Sequence, residues 1–384
     1  MNIHICLVSQ QLLANYIPVL MQKPDAVCLI SSASMETTGL TARFKAMLDA
    51  LEIPNCTYDD MPSTNMESIY DYALEISEKI KQQYSNANLT LNITGGTKLM
   101  SQGFTEVMSN DAQLIYTDTQ HNRLEYIGEK TRKSSIPLPS VLKIKDYLKA
   151  YGANYKQSLS DDSQWQQEIL QRKAVTKYLG QQAEALDGLI GSINYLVNQA
   201  ISDNSKVLEK PTQYLNTTPR GEWKTALQKM QQSGLLSWDG QTEIRFSDIE
   251  SARYLGGVWL EEYVYHLAKD EQPEDVRSGV KVSWDSSKKT HNELDVVLVH
   301  NNRMLIIECK TMRFGGGYQQ KDSDVLYKID SLGDDLKGLY GGLWLVSART
   351  PTDNMIDRAK DRRIKIINPS DLKKLRSHFQ QWMQ

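Results

Sequence analysis

The sequence predicts an α/β protein with more than one domain. Its 384 residues are 40% apolar, which is enough for two or three hydrophobic cores. Residues 1–130 alternate short apolar segments with amphipathic ones, and residues 291–310 contain two apolar segments with few polar interruptions. Such alternation is typical of parallel strands joined by right-handed helical crossovers. We therefore predict a doubly wound, Rossmann-like sheet at the amino terminus, with helices on both faces.

The positions of the apolar segments predict the strands and helices of this first domain. Strands are predicted over residues 1–8, 25–31, 88–94 and 113–117, and helices after Gln10, Thr38, Met61 and Thr97. This order is the βαβα alternation of a nucleotide-binding fold, in which ligands bind at the carboxyl ends of the strands.

A polar connector follows this domain. Residues 134–139 contain two serines and two prolines, so a domain boundary is predicted there. Residues 220–246 have the pattern of a helix followed by a hairpin that turns at Asp239 and Gly240, which is typical of a small winged-helix module. The predicted regions are 1–135, a Rossmann-like domain; 136–248, a linker and a helical, winged-helix-like spacer; and 249–384, a second α/β domain.

Charged side chains interrupt the two apolar strands of the second α/β domain at a few positions. Glu308 and Lys310 are two residues apart, so on a strand they project from the same face, while Cys309 faces the other side. The polar residues 300–303 predict a hairpin turn that sets Asp295 beside Glu308. The alternative is a solvated cross-strand salt bridge. Because the rest of both strands is strongly apolar, we favour paired or metal-bound charges at buried strands.

Two carboxylates and an amine in this arrangement suit metal-dependent phosphodiester hydrolysis. Asp295, Glu308 and the backbone carbonyl of Cys309 offer oxygen ligands to Mg²⁺ or Mn²⁺, which keep several waters when bound to proteins. The metal activates a water and neutralises charge on the phosphate, and Lys310 orients the nucleophile or stabilises the transition state.

The spacing of Asp295, Glu308 and Lys310 resembles the PD-(D/E)xK signature of the restriction-endonuclease-like nucleases, although Leu294 stands where that family often has proline. The resemblance implies a further catalytic acid on a preceding helix. Residues 256–268 form such a helix in the sequence pattern, and Glu261 fits the position better than its neighbour Glu262.

A glycine-rich segment follows Lys310. Residues 313–317 lead into a predicted helix that carries Lys328, and backbone amides there, together with Lys328, are candidates for holding phosphates. A plain loop and a solvated lysine explain the same pattern equally well.

The amino-terminal domain contains one distinctive loop. After the strand that ends near Asn92, the chain continues Thr94-Gly95-Gly96-Thr97-Lys98 into a helix. Glycines allow close backbone approach to a ligand, and free amides, two hydroxyls and an ammonium form an anion or ribose-phosphate site. The loop lacks the G-x-G-x-x-G and Walker A spacings, so a common dinucleotide or ATP site is not predicted. A tight turn with Thr97 as the helix cap is the alternative.

Together with the nuclease motif, this loop resembles the CRISPR-associated Rossmann-fold (CARF) sensors fused to restriction-like nucleases, which cyclic oligoadenylate activates. The resemblance implies a homodimer that binds the ligand across its two-fold axis. The ligand-binding residues that it implies are Ser9, Gln10, Thr38, Gly39, Thr94, Gly95, Gly96, Thr97 and Lys98, with Asp118 as a weaker candidate.

The composition of the sequence argues against several other classes of protein. A net charge of −3 argues against a large, indiscriminate nucleic-acid-binding surface but allows a local basic cleft. The four widely spaced cysteines indicate neither a zinc cluster nor a disulfide framework. The sequence has no apolar run long enough for a bilayer, and its start lacks the basic segment of a signal peptide, so we expect a cytoplasmic protein.

The resulting hypothesis is a metal-dependent endonuclease that cyclic oligoadenylate switches on in antiviral defence. DNA is the expected substrate, and single-stranded RNA is a second option. Two alternatives remain open: a ligand-responsive transcriptional regulator that binds DNA and has an inert nuclease-like domain, and a constitutive repair or restriction nuclease with an unrelated sensor. The sequence leaves open the ring size of the activator, the base preference, and whether the sensor degrades its ligand.

Overall fold

A computed structural model describes residues 1–128, 134–201, 207–284, 287–313, 319–336, 338 and 341–384. The chain divides into two compact units, Met1–Asn154 with Trp284–Ser286, and Tyr155–Ser283 with Ser287–Gln384. The division into residues 1–135, 136–248 and 249–384 stays a prediction, because one compact unit can contain more than one domain.

The described part of the first unit contains a seven-stranded sheet with the order β3-β2-β1-β4-β5-β6-β7. Its strands are β1 (Asn2–Leu7), β2 (Ala26–Ile30), β3 (Asn55–Tyr58), β4 (Asn88–Asn92), β5 (Ala112–Asp118), β6 (Arg123–Ile127) and β7 (Ile136–Pro137). Its helices are α1 (Leu12–Gln22), α2 (Ala33–Thr37), α3 (Leu40–Asp49), α4 (Met66–Gln83), α5 (Lys98–Met108) and α6 (Ile144–Ala150).

Neighbouring strands from β3 to β5 are parallel, and the winding direction reverses between β1 and β4. The predicted doubly wound sheet is therefore confirmed. The central strands β1 and β2 are buried on both faces, which explains why they are continuous apolar runs in the sequence. The carboxyl ends of β1 and β4 flank the reversal, where open α/β sheets form a ligand crevice.

The second unit begins within β8 and contains a three-stranded and a six-stranded sheet among its described residues. Its strands are β8 (Ala153–Gln157), β9 (Thr212–Tyr214), β10 (Leu236–Trp238), β11 (Glu243–Phe246), β12 (Asp275–Trp284), β13 (Ser287–His300), β14 (Arg303–Lys310), β15 (Gly342–Ser347) and β16 (Ile364–Ile367). Its α-helices are α7 (Ser163–Gln171), α8 (Lys173–Gln181), α9 (Asp187–Ala200), α10 (Glu222–Gln232), α11 (Ile249–Arg253), α12 (Trp259–Asp270), α13 (Gln319–Leu336), α14 (Asp353–Asp361), α15 (Pro369–Leu372) and α16 (Leu375–Met383).

The predicted hairpin of β13 and β14 is present. Its strands are antiparallel, with Val299 opposite Met304, and the turn residues Asn301 and Asn302 have φ angles of 49° and 56°. Asparagine tolerates this left-handed conformation, and two such residues in a row twist a turn to match the flanking strands. In the sheet order β16-β15-β14-β13-β12-β8, strand β14 lies between two partners and is therefore buried, as predicted.

The middle of the chain contains the helix and hairpin predicted over residues 220–246, and their winged-helix interpretation stays a prediction. Helix α10 is followed by the β10–β11 hairpin, and β9 pairs with β11 as the third strand. These elements do not form a core of their own. Leu189 and Ile193 of α9 belong to the same buried cluster as Ile244 of β11 and Val296 and Leu298 of β13. Residues 155–248 and the six-stranded sheet therefore share one hydrophobic core.

The structure also bears on membrane-spanning helices and on the state of the cysteines. In the part of the chain that the structure describes, no helix combines the length and apolar character needed to cross a bilayer. The cysteines are free thiols, of which Cys6, Cys28 and Cys309 are buried and Cys56 is half-buried.

Candidate active site and ligand-binding loop

The hairpin register brings the two predicted carboxylates together. Val296 lies opposite Ile307, so Asp295 lies opposite Glu308 one position further along the strands. Both side chains are buried, with only 3% of Glu308 exposed. Asp295 Oδ2 accepts a hydrogen bond of 2.7 Å from the backbone N–H of Cys309. The carboxylate of Asp295 is thus fixed against the strand that carries Glu308 and Lys310.

The Lys310 ammonium lies at the focus of the oxygen atoms predicted as metal ligands. Its Nζ is 2.6 Å from Glu308 Oε1, 3.2 Å from the carbonyl oxygen of Cys309 and 3.8 Å from Asp295 Oδ2. Three oxygen atoms from three residues therefore surround one cation. Carboxylate and carbonyl oxygens are the ligand type that a hard cation prefers.

A second ammonium completes the charge balance of Glu308. Lys328 on α13 donates hydrogen bonds of 2.9 Å and 3.2 Å to the two oxygens of Glu308. The sequence had suggested Lys328 as a phosphate ligand next to the glycine-rich loop, but it gave no indication of this ion pair. Residues 314–318 of that loop lie outside the described residues.

Burial and like charge shape the protonation of this site. Burial raises the pKa of Asp295 to about 6, and the Glu308 carboxylate adds to the effect, while Lys310 and the N–H of Cys309 oppose it. Burial alone would lower the pKa of Lys310, but Asp295 and Glu308 outweigh it and raise that pKa above its ordinary value. The site therefore favours a bound positive charge.

Helix α12 carries Glu261 toward this cluster. The helix follows a wide π-type turn (Tyr254–Val258), and a Cβ at Gly257 would lie 3.1 Å from the hydroxyl of Thr311, so a small residue suits the approach. Burial raises the pKa of Glu261, and the nearby Asp295 carboxylate raises it further, against the effect of Lys310. The charge of Glu261 therefore interacts with those of Asp295 and Lys310, and its catalytic role stays a prediction.

The sequence analysis did not single out Glu293, whose charge also acts on Glu261. Glu293 is exposed, and its charge acts on Glu261 together with those of Asp295 and Glu308. A sequence signal was present, because Glu293 is two residues before Asp295 and therefore on the same face of β13.

The neighbouring Glu262 has a different role. It is fully buried and accepts hydrogen bonds from Arg172, with Nε at 3.1 Å and 2.9 Å from its two oxygens. The Arg172 guanidinium also lies over the ring of Tyr254, 4.7 Å from its centre. Glu262 therefore ties α12 to the segment before α8, and of the two glutamates it is Glu261 whose charge is coupled to the cluster.

The donor set fits Mg²⁺ or Mn²⁺. Among the described residues, no three His, Cys, Asp or Glu side chains are grouped as a metal site. The candidate site instead combines two carboxylates with one backbone carbonyl. Mg²⁺ is commonly held by one or two carboxylates while it keeps several waters, so this set is sufficient. The thiol of Cys309 is not required, since only its carbonyl faces Lys310.

In the first unit, the loop after β4 depends on its two glycines. A Cβ at Gly95 would lie 1.9 Å from the carbonyl oxygen of Leu7, so only glycine fits between the ends of β4 and β1. Gly96 has a φ of 73°, a conformation that favours glycine. The loop is therefore pressed against the end of β1, where Ser9 and Gln10 follow.

Internal hydrogen bonds hold this loop. Asn92 Oδ1 accepts from the N–H and the hydroxyl of Thr94, at 3.0 Å and 2.6 Å, and Thr94 Oγ1 accepts from the N–H of Thr117 at 2.7 Å. Thr97 caps α5 by accepting from the N–H of Met100 at 3.3 Å, which was the alternative interpretation of this residue. Lys98 is exposed at the start of α5.

The remaining predicted ligand residues lie in two further places. Thr38, at the end of α2, is exposed and donates to the carbonyl of Ser34 at 2.9 Å, and Gly39 precedes α3 with a φ of 72°. Asp118, at the end of β5, lies 2.7 Å from the ring nitrogen Nδ1 of His121. Their role in ligand binding stays a prediction.

Two protein families match the chain. The Card1 CARF domain matches residues 3–147, and the Card1-like endonuclease domain matches residues 248–384. No curated protein matches. The amino-terminal region therefore matches CARF domains and the carboxyl-terminal region matches Card1-like endonuclease domains, which confirms the predicted combination.

Solved structures share the whole fold. Can2 from Sulfobacillus thermosulfidooxidans, solved in complex with cyclic tetra-adenylate, is 22% identical with a TM-score of 0.77, and the match covers 100% of both chains. Protein VC1899 from Vibrio cholerae is 24% identical with a TM-score of 0.82, over 100% of this chain and 98% of the other. A Type III CRISPR defence DNA nuclease activated by cyclic oligoadenylate is 14% identical with a TM-score of 0.55, over 90% of this chain and 45% of the other.

Proposed function

We propose that the protein is a homodimeric nuclease that depends on Mg²⁺ or Mn²⁺ and that cyclic oligoadenylate activates. The observation that carries the proposal is the convergence of Asp295, Glu308 and the Cys309 carbonyl on the Lys310 ammonium. It lies in the domain that matches an endonuclease family. The match of the first unit to CARF domains, and the cyclic tetra-adenylate in the Can2 structure, support the activator.

The chain supplies most of the hydrolytic machinery. Asp295, Glu308 and the Cys309 carbonyl would hold the divalent cation, which would lower the pKa of a water and neutralise charge on the phosphate. The water would lose a proton to solvent as its oxygen bonds to phosphorus, and the leaving sugar oxygen would take up a proton as its bond to phosphorus breaks. Lys310 would donate hydrogen bonds to the oxygens that gain charge. Glu261 would accept a hydrogen bond from the attacking water and orient it.

Activation requires that the ligand distinguish two arrangements of the dimer. The loops after β1 and β4 flank the reversal of the sheet, so their backbone amides and Lys98 form one half of a site. A cyclic, symmetric ligand fits two identical half-sites related by a two-fold axis. It can switch the nuclease only through unequal affinity for the inactive and active arrangements.

The substrate is DNA in this proposal, with single-stranded RNA as the second candidate. One of the structurally similar proteins is a DNA nuclease, which supports DNA as the substrate.

The decisive experiment measures cleavage of labelled DNA and RNA by the purified protein. Reactions contain or lack Mn²⁺, cyclic tetra-adenylate and cyclic hexa-adenylate. We expect cutting only when metal and one of the two ligands are both present. Cutting that ignores the ligands would favour a constitutive nuclease, and DNA binding without any cutting would favour a transcriptional regulator.

A further inference from the structure

Two cysteine side chains are in contact in the first unit. Cys28 of β2 pairs with Cys56 of β3 in the parallel register, and their sulfur atoms are 3.3 Å apart. The two residues are 28 positions apart in the chain, so no local pattern in the sequence indicates this pair. The register of the two strands creates a dithiol from cysteines that, taken singly, are small apolar residues.

The backbone around this pair suits a disulfide. Neighbouring strands lie about 4.8 Å apart, and a disulfide bridges Cα atoms that are about 4.4–6.8 Å apart. Because the sulfur atoms are already in contact, rotation of the side chains closes the gap without a change of register. Cys6 lies opposite Leu29 and therefore faces the other side of the sheet, and Cys309 belongs to the second unit.

The two thiols differ in their exposure. Cys28 is fully buried, whereas Cys56 is half-buried on β3, the strand at the edge of the sheet. A small oxidant can therefore reach Cys56 from solvent, while Cys28 lies directly behind it. Redox-sensitive cysteines have this arrangement, in which an accessible thiolate reacts first and an adjacent thiol resolves the product.

The surroundings of Cys56 favour its thiolate. The hydroxyl of Tyr84, which directly follows α4, donates to Cys56 Sγ at 3.9 Å. A hydrogen bond with Cys28 lowers the pKa of Cys56, and Tyr84 and Tyr58 lower it further, against the effect of burial. Burial raises the pKa of Cys6 to about 12. Since the thiolate is the reactive form, Cys56 is the better nucleophile of the two.

We propose that Cys28 and Cys56 form a redox-active pair, which hydrogen peroxide converts reversibly into a disulfide. The modification falls on the unit that matches CARF domains, away from the candidate active site. The segment between the two cysteines contains α2 and α3 and, between these helices, Thr38 and Gly39, which were predicted to contact the activator. Oxidation closes this segment into a covalent loop.

The reaction is balanced by one peroxide. The Cys56 thiolate attacks a peroxide oxygen, the O–O bond breaks, and the second oxygen leaves as hydroxide and takes up a proton. The Cys28 sulfur then attacks the sulfur of the resulting sulfenic acid, loses its proton and displaces the hydroxyl group as water. Two thiols and one peroxide thus give one disulfide and two waters. A dithiol reductant reverses the reaction by exchange and is itself oxidised to a disulfide.

The test counts thiols in the full-length protein by intact mass. The protein is treated with a small molar excess of hydrogen peroxide, and the thiols that remain are blocked with N-ethylmaleimide in urea. Of the four free thiols, we expect two to be blocked after oxidation and all four after subsequent reduction with dithiothreitol. The oxidised protein should also unfold at a higher urea concentration than the reduced protein, because the cross-link restricts the unfolded chain.

Variants assign the two steps to individual residues. Cys28→Ala leaves Cys56 without its resolving thiol, so dimedone, which traps sulfenic acids, should label this variant and not the parent protein. Cys6→Ala removes a buried thiol of the neighbouring strand and is the matched control, which should form the disulfide as the parent does. In the folded parent protein, iodoacetamide should alkylate Cys56 at least about tenfold faster than Cys6.

Three results would overturn the proposal. These are four remaining thiols after peroxide treatment, a disulfide that joins two chains, and a disulfide that still forms in Cys28→Ala. Melting curves of both variants show whether each one folds. The thiol count and the urea midpoint use the unmodified protein, so they decide the question even if a variant does not fold. Neither measurement depends on nuclease activity.

Discussion

The candidate active site and the ligand-binding loop are held by different kinds of interaction, ion pairs in the first and hydrogen bonds between neutral groups in the second. Around Glu308, buried carboxylates and two ammoniums compensate one another, and the removal of one charge leaves its partner exposed to a low-dielectric interior. Around Thr94, neutral hydroxyl, amide and glycine contacts hold the chain. Each neutral hydrogen bond contributes only about 1 kcal/mol, so such a loop can rearrange when a ligand binds. The proposed catalytic site is therefore expected to be rigid, and the proposed ligand-binding loop adaptable.

The largest effect is expected for Glu308→Gln. It keeps the shape but removes the charge that Lys310 and Lys328 share and that a divalent cation needs. We expect activated cleavage to fall at least about 1000-fold, because metal stabilisation of the transition state contributes several kcal/mol. Glu271→Gln, which changes a carboxylate paired with Arg376 in the same unit, is the matched control. Full cleavage by Glu308→Gln would refute the proposed site.

The two adjacent glutamates of α12 should separate catalysis from stability. Glu262→Gln leaves Arg172 buried without its counter-charge and should lower the free energy of unfolding by about 3–5 kcal/mol. Glu261→Gln removes one of several repelling carboxylates, so its stability should be unchanged or higher while cleavage falls. Urea unfolding and cleavage rates on both variants check this. An unstable Glu261→Gln with normal cleavage would reverse the assignment.

The first unit should lose stability in weak acid through a buried histidine. Burial lowers the pKa of His4 from its ordinary 6.5 to about 4, against a hydrogen bond with Gln22 that raises it. Because the unfolded chain takes up the proton first, His4 reduces stability as the pH falls from about 6.5 to 4, by about 1.4 kcal/mol per pH unit.

Above pH 6.5, His4 is neutral in both states and has no such effect. Urea unfolding at several pH values should therefore show a weaker pH dependence in His4→Gln than in the parent protein. Equal slopes for the two proteins would contradict the prediction. Comparison of the two proteins is needed because carboxylates also titrate over this range.

The smallest effect is expected for Lys98→Ala. This exposed residue begins α5, and its loss removes one charge from the proposed anion site, which backbone amides would also form. We expect about a tenfold rise in the ligand concentration needed for half-activation, without a change in the maximal cleavage rate. Lys79→Ala, which removes an exposed lysine of α4, is the control. An unchanged activation curve would exclude Lys98 from the ligand site.

Sequence was most informative where local physics decides the structure. The polar turn and the two apolar runs predicted the β13–β14 hairpin, and period two predicted that Glu308 and Lys310 share a face; both are present. Strand β3 was not predicted from the residues, because it is half-buried at the sheet edge and its four residues form no apolar run. Edge strands depend on pairing, which one sequence does not reveal.

Ion pairs between residues far apart in the chain could not be predicted from the sequence. Nothing local indicates that Arg172 meets Glu262, which is 90 residues away, or that Lys328 meets Glu308, 20 residues away. The choice between Glu261 and Glu262 depended on the first of these contacts. Neighbouring glutamates on a helix face directions about 100° apart, and only the packing determines which one meets the active site.

The shared core of α9, β11 and β13 has a consequence for engineering this family. Buried Leu189, Ile244 and Val296 belong to one cluster, so a cut at residue 248 would divide a single cooperative folding unit and expose apolar surface on both fragments. Chimaeras that exchange domains between relatives should therefore be joined between α6 and β8, at residues 151–152, so that β8 and everything downstream are transferred together.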